Sequence, residues 1–293
     1  MSVCMNTSEL KTAAHAAWDE DNEQDAEALF KQALAIDGQD PQTLFDLALL
    51  YKFQDRWAEA LDFNRKVVAI KPDDTAAWWN LGIAATALSD WTSAAQAWQV
   101  FDITLPLESL PPALPAAAAA VRVRNGKQID VLLGERLDPA RVRVTQVPLP
   151  DCGVRYGDIL LNDGLGNGVV THQGIELPVR EVLSTWAVSN HATYVLEAVV
   201  ESKAQLDTLV ELAARAGLPL QDWGGKVRYV LPTEGKHAPA EPEWQKVREI
   251  GIAAEDDQPV ADLLDAWLAA CPEVDIREVY VALTPDDAGE AHA

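Results

Sequence analysis

Few residues of this chain have the types and spacing that catalysis needs. Its five histidines, His15, His172, His191, His237 and His292, are scattered. None stands in an HExxH, CxxC or EF-hand spacing, so no metal ligand set is predicted. Ser189-Asn190-His191, and Asp158 with His172, supply nucleophile, base and carboxylate types. No GxSxG or Walker motif surrounds them to aim that chemistry. Paired carboxylates suit general acid–base work, but with 46 acidic residues in the chain they carry no information. Gly164-x-Gly166-x-Gly168, within "NDGLGNG" (162–168), has the look of a phosphate cradle. Such a loop feeds a helix N-terminus, whereas "VVTHQGIEL" follows here, and Asp163 brings the wrong charge. The segment therefore reads as a loop between strands. Arg141, Arg143, Arg155 and Tyr156 form a small candidate polar patch. No cofactor site is indicated.

The elements that would position these residues begin with a repeat. Three segments recur at 34 residues. The third reads Trp78-x-x-Leu81-Gly82-x-x-Ala85, then Ala94, Trp98, Phe101 and Pro106. One period earlier come Leu44, Leu47, Ala48, Tyr51, Ala60, Asn64, Val67 and Pro72. Two periods earlier come Leu10, Ala13, Ala14, Ala17, Ala26, Phe30, Ala33 and Gly38. Small residues at 14, 48 and 82, and at 26, 60 and 94, suit two helices that cross closely. Prolines end the second helix. In the third repeat the helices are expected at about 76–88 and 91–104.

This pattern resembles the tetratricopeptide repeat over about residues 7–106. The resemblance implies a helical solenoid with a concave, peptide-binding groove. Carried over position by position, the groove comprises Lys11, His15, Trp18 and Asp19, then Phe45, Asp46, Leu49, Lys52 and Phe53, then Trp79, Asn80, Ile83 and Thr86. Trp78 is expected in the core of its own repeat and Trp79 in the groove. Asn80 matches the asparagine that the family uses to bond an extended peptide. Receptors for chaperone tails use a basic and asparagine clamp. Lys11 fits it, but His15, Asp46, Trp79 and Ile83 do not, so that role is disfavoured.

After the repeats, residues 107–118 read as a proline- and alanine-rich linker. Period-2 patterning then predicts a small β-rich module over 119–188. Its strands include 140–147 and 157–161, with a hairpin over 169–179 that turns at Gln173-Gly174. Residues 189–285 read as β-α-β-β-α-β, the order of a ferredoxin-like domain. Its strands fall at 193–201, 226–231, 247–254 and 275–283, with a proline-rich loop over 232–243. Ser202 and Gln205 form a capping box, and Pro259 starts the second helix. Residues 286–293 read as a disordered tail. The fold class is thus a multidomain α plus α/β chain: a helical solenoid, a small β module and a ferredoxin-like domain. Amino-acid-sensing domains of the ACT type share that last fold, but the glycine turn they place after the first strand is missing from "VVESKAQLD".

The net charge of −23 disfavours nucleic acid and anionic membrane surfaces as partners and allows a basic protein partner. No apolar run approaches the roughly 18 residues of a membrane span. The N-terminus does not resemble a signal peptide. Cys4, Cys152 and Cys271 read as reduced thiols, which points to a cytoplasmic protein. The expected function is a non-enzymatic scaffold that binds a protein or peptide. The alternatives are an acidic immunity-type protein that neutralises a basic toxin, and a ligand sensor or enzyme built on the C-terminal half.

Overall fold

In the computed structural model, residues 5–126, 128–224 and 244–289 are described. They divide into two compact units, residues 1–114 with 138–140, and residues 115–137 with 141–293.

The first unit holds six helices: α1 (Thr7–Asp19), α2 (Glu23–Ile36), α3 (Pro41–Phe53), α4 (Trp57–Ile70), α5 (Thr75–Ala87) and α6 (Trp91–Gln99). The 34-residue period extends to their ends. Asn6, Asp40 and Asp74 cap α1, α3 and α5, each accepting from the backbone N–H three residues on. Asp21, Asp55 and Ser89, again 34 apart, take the left-handed conformation in the turns between paired helices, with φ of 58°, 55° and 58°. The small residues are where the pattern placed them. Ala14, Ala26, Ala48, Ala60 and Ala94 are buried. A Cβ on Gly82 would meet three atoms of the Trp98 ring within 2.6 to 2.9 Å, so only glycine lets that indole lie across α5. Helix α6 ends at Gln99, short of the expected 104. Asp102 takes a left-handed φ of 59°, which turns the chain well before Pro106.

The middle of the chain is a closed five-stranded barrel: β1 (Ala117–Asn125), β2 (Gln128–Arg136), β3 (Arg141–Val144), β4 (Ile159–His172) and β5 (Ile175–Ala187). Neighbours are antiparallel except at the closure. There β1 runs parallel to β5, with Ala120 opposite Val179. The β4–β5 hairpin turns at Gln173 and Gly174, both at positive φ (50° and 78°), the geometry a two-residue turn needs. Two expectations are corrected. Ala117 and Ala118, read as the end of the linker, already belong to β1. The glycine-rich segment 162–168 lies inside β4, with register shifts between Asn162 and Gly166 and between Gly166 and Val169. Glycines tolerate such bulges, so the strand bends there without ending.

The last element group is β6 (Ala192–Val199), α7 (Lys203–Ala216), β7 (Leu220–Asp222), β8 (Val247–Ala254), α8 (Gln258–Ala270) and β9 (Asp275–Leu283). The sheet order is β7-β8-β6-β9, all antiparallel. The expected capping box is present, with Gln205 reaching back to the Ser202 amide at 3.3 Å. Both helices contribute to one core: Leu206, Leu209 and Ala213 from α7, and Val260, Leu263 and Trp267 from α8, with Leu196 and Ile252 of the sheet. Trp223 packs with Val195, Ala253 and the barrel segment's Val147, and its indole N–H donates to the Val147 carbonyl at 3.0 Å. The expected strand 226–231 and loop 232–243 lie outside the described residues, as do residues 290–293. Residues 285–289 form a short 3-10 turn.

Candidate functional site

Helical spacing lines residues 11, 15 and 18, then 45, 49 and 52, then 79, 83 and 86 along the first helix of each repeat. Polar bridges join these helices in sequence. Lys11 Nζ of α1 meets Asp40 Oδ2, at the head of α3, at 2.9 Å. His15 Nε2 lies 3.1 Å from Asp46 Oδ2, without the alignment of a full hydrogen bond. Gln42 Nε2 donates to Asp46 Oδ1 at 2.9 Å. Lys52 Nζ donates to Asn80 Oδ1, crossing from α3 to α5, at 3.1 Å. Burial raises the Asp46 carboxyl above its ordinary range, against the pull of Gln42 and His15. Asp40 is held low. Its burial opposes ionisation, but bonds from Thr43 and Lys11 outweigh that cost.

These positions divide into two groups. His15, Asp19 and Phe53 are exposed, and Lys11, Trp18, Phe45 and Leu49 are half-buried. Trp18 and Phe53 face each other across α1 and α3, with ring centroids 6.3 Å apart. Asp46, Lys52, Asn80, Ile83 and Thr86 are buried. The expectation that Lys52, Asn80, Ile83 and Thr86 line an accessible face is therefore corrected. Asn80 is engaged by Lys52, and Thr86 Oγ1 donates to the Gly82 carbonyl of its own helix at 2.8 Å.

The tryptophan pair is also corrected. Trp79 turns into its own repeat. It meets Trp98 at 5.1 Å and 73°, and Phe101 at 4.9 Å and 81°, both edge to face. Both tryptophans are half-buried, and the Trp78 Nε1 donates to the Pro72 carbonyl at 2.9 Å. The cause is Gly82, three residues after Trp79 on the same side of α5. Its bare backbone admits the Trp98 ring, and Trp79 packs onto that ring. Asp40, Trp98 and Phe101 were not assigned site roles from sequence. The 34-residue spacing of Asn6, Asp40 and Asp74 was the signal that would have marked Asp40.

The other chemical candidates assemble only in part. Ser189 Oγ lies 2.9 Å from His191 Nδ1, and Asp158 Oδ1 accepts the Ser189 amide at 2.7 Å. Asp158 thus holds a backbone N–H and not the imidazole, so the three groups form no relay. Burial raises the Asp158 carboxyl, against hydrogen bonds from the Ser189 and Arg155 amides. His172 lies at the far end of β4 from Asp158, fourteen strand residues on. The arginine patch separates as well. Arg141 is buried with its guanidinium over the Trp186 ring, while Arg143 is exposed and 3.6 Å from Glu135. Arg155 is buried against Asp158 and the Thr284 carbonyl. Among the described residues no group of three His, Cys, Asp or Glu is placed to hold a metal ion. No described helix is long and apolar enough to cross a membrane.

The tetratricopeptide repeat profile matches residues 17–84. Among solved structures, the Sgt2 TPR domain from Aspergillus fumigatus is 26% identical, covering 32% of this chain and 62% of that one, with a TM-score of 0.30. MamA is 19% identical, covering 32% of this chain and 55% of that one, with a TM-score of 0.31. The second TPR of Spaghetti (RPAP3), bound to the HSP90 peptide SRMEEVD, is 18% identical, covering 32% and 88%, with a TM-score of 0.31. This chain thus spans less than two thirds of the Sgt2 and MamA structures. No curated protein matches it. Residues 17–84 of the helical region thus match the tetratricopeptide repeat, and a β-rich region of a different fold follows.

Proposed function

We propose that this is a non-enzymatic, cytoplasmic interaction protein that grips a peptide or helix of a protein partner on the inner face of its first two repeats. The observation that carries this reading is an apolar stripe across neighbouring helices, made by Trp18 on α1 with Phe45, Leu49 and Phe53 on α3. Phe53 is 54% exposed, and apolar surface of this kind marks contact sites. Lys11, His15 and Asp46 supply polar bonding at its edge. The buried Lys52, Asn80, Ile83 and Thr86 hold α3 and α5 in place in this reading. Residues 1–116 carry 18 acidic and 7 basic residues, which favours a partner segment with basic flanks and disfavours nucleic acid and anionic membranes. In the β-rich region, the strand order β7-β8-β6-β9 with both helices in one core supports the reading as a ferredoxin-like sandwich. We assign that domain no catalytic role.

The test is affinity purification of the full chain from its own cells, beside Phe53→Ala and Trp18→Ala variants whose folding is checked by circular dichroism. A partner lost from both variants supports the stripe. Recovery of the same partners at the same yield would overturn it. The −23 charge favours a second reading, in which the partner is a basic toxin neutralised by this chain. That reading requires association to slow steeply as salt is raised, and unchanged rates between low and high salt would remove it.

A further inference from the structure

The barrel differs electrically from the rest of the chain. Residues 117–187 hold eight basic and eight acidic residues, so the whole net charge of −23 lies outside it. Most barrel arginines are answered. Arg122 and Arg124 share Glu181 at 2.7 and 3.2 Å, Arg143 meets Glu135, and Arg155 meets Asp158. Two have no acidic partner among the described residues: Arg136 at the end of β2, and Arg180 in β5.

Their positions follow from the register. Val121 of β1 stands opposite Leu132 on β2 and Arg180 on β5, while Ala117 stands opposite Arg136. Residues opposite one another share a face, and residues two apart return to it. Arg136 and Arg180 therefore share the face of Val121 and Leu132, which points into the barrel core. On β4, Asn162 is opposite Val182 of that core, and Gly166 is opposite Arg180. Asn162 is fully buried, and neither its Oδ1 nor its Nδ2 has a partner. The Arg136 Nε is likewise buried without one. Burial, and after it the nearby Arg136 charge, lowers the Arg180 pKa. The acid beside them on β4, Asp163, is already engaged. A buried carboxamide with both ends unmet shares the core-facing side of the barrel with two guanidinium groups that meet no described acid, and together they offer several donors and one acceptor to a ligand.

We propose that Arg136, Arg180 and Asn162 form a binding site for a small oxyanion that also carries a hydroxyl proton, of the hydrogen-phosphate class. The two guanidinium groups and Asn162 Nδ2 donate to its oxygens, and Asn162 Oδ1 accepts its proton. The site is independent of the repeat groove. Two sources share this chemistry, free phosphate and a phosphate monoester.

The experiment is titration calorimetry with the full chain at about pH 6.5, at ionic strength held constant with sodium chloride. Inorganic phosphate, methyl phosphate and sulfate are the probes. Saturable binding of phosphate or of methyl phosphate is expected, and whichever binds more tightly identifies the source. Sulfate has the same shape but no proton at this pH, and is expected to bind at least ten-fold more weakly. Arg180→Gln and Arg136→Gln each reduce phosphate affinity at least ten-fold. Both variants remove an unpaired charge, so their ligand-free melting temperatures are expected to hold or rise. Asn162→Leu abolishes the preference for phosphate over sulfate. Absence of saturable binding of both phosphate and methyl phosphate, equal affinity for sulfate, or wild-type affinity for the tighter-binding phosphate probe in the arginine variants would each overturn the proposal.

Discussion

The helical repeats and the β-rich region are held together over different distances along the chain. In the repeats, the caps Asn6, Asp40 and Asp74 recur at 34 residues, and side-chain bridges between helices span similar separations. Lys11–Asp40 is 29 residues apart, Lys52–Asn80 28 and Arg56–Glu27 29. In the β-rich region, Arg122 reaches 59 residues to Glu181, and Trp223 reaches 76 residues to Val147. A repeat array is stabilised by each unit and its neighbours, so damage stays near its source. A barrel closed by its first and last strands fails as a unit, because every strand depends on the closure.

The largest expected effects test that contrast directly. Trp98→Ala and Trp223→Ala each remove a buried indole and should cost about 3–5 kcal/mol. In hydrogen exchange, Trp98→Ala should expose α5 and α6 while α1 and α2 keep their protection. Trp223→Ala should loosen the Val147 segment together with β6 and β8. Uniform loss of protection across all six helices in Trp98→Ala would show that the repeats behave as one block.

Next in size is Glu27, which joins the first two repeats. It lies 2.7 Å from Arg56 and 2.6 Å from Lys31, and it accepts from the Tyr51 hydroxyl at 3.0 Å. Burial opposes its ionisation, but these bonds outweigh that and pull its pKa down to about 2. A depressed carboxylate stabilises the fold above its unfolded pKa near 4.5 and loses that contribution as pH falls toward 2. Glu27→Gln should cost on the order of 2 kcal/mol at pH 7 and flatten the fall in stability between pH 4.5 and 2. An unchanged acid limb in urea melts would show that the network contributes nothing.

Smaller effects compare equivalent positions. Phe30, Asn64 and Trp98 occupy one position in successive repeats, and all are fully buried. Asn64 Nδ2 donates to the Ala60 carbonyl, while its Oδ1 has no partner. Asn64→Leu should therefore stabilise by about 1 kcal/mol, read as a higher urea midpoint. Asp74→Ala, which removes the cap of α5, should cost about 1 kcal/mol. The smallest change expected is Phe53→Ala, within about 0.5 kcal/mol in stability. A larger loss would place Phe53 in the core and not on a contact surface.

The two regions also differ in how far the sequence exposed them. Small residues at 14, 48 and 82 declare close helix crossings wherever they stand, and the period locates every turn. The strands 247–254 and 275–283 were equally plain, because alternation marks a half-buried strand without reference to its neighbours. The barrel was not visible. Its closure is one parallel pairing between β1 and β5, and no local pattern encodes which strands meet. The glycine run 162–168 looks like a loop in the sequence because glycine signals both a turn and a bulge, and only the strands on either side decide between them. Of the candidate site, the positions 11 to 86 were found as a series, but their exposure was not. Trp78 and Trp79 differ by one step of a helix, and the space above Gly82 determined that Trp79 packs on the Trp98 ring.

The amino-acid order alone therefore determined the repeat, its caps, its turns and the alternation of strands, because each depends on residues within a few turns or one period. Tertiary structure decided the barrel closure, the burial of Lys52, Asn80, Ile83 and Thr86, and the placing of Arg136, Arg180 and Asn162 about one core. Those outcomes depend on which distant segments share a volume, and packing settles that only when the whole chain has folded.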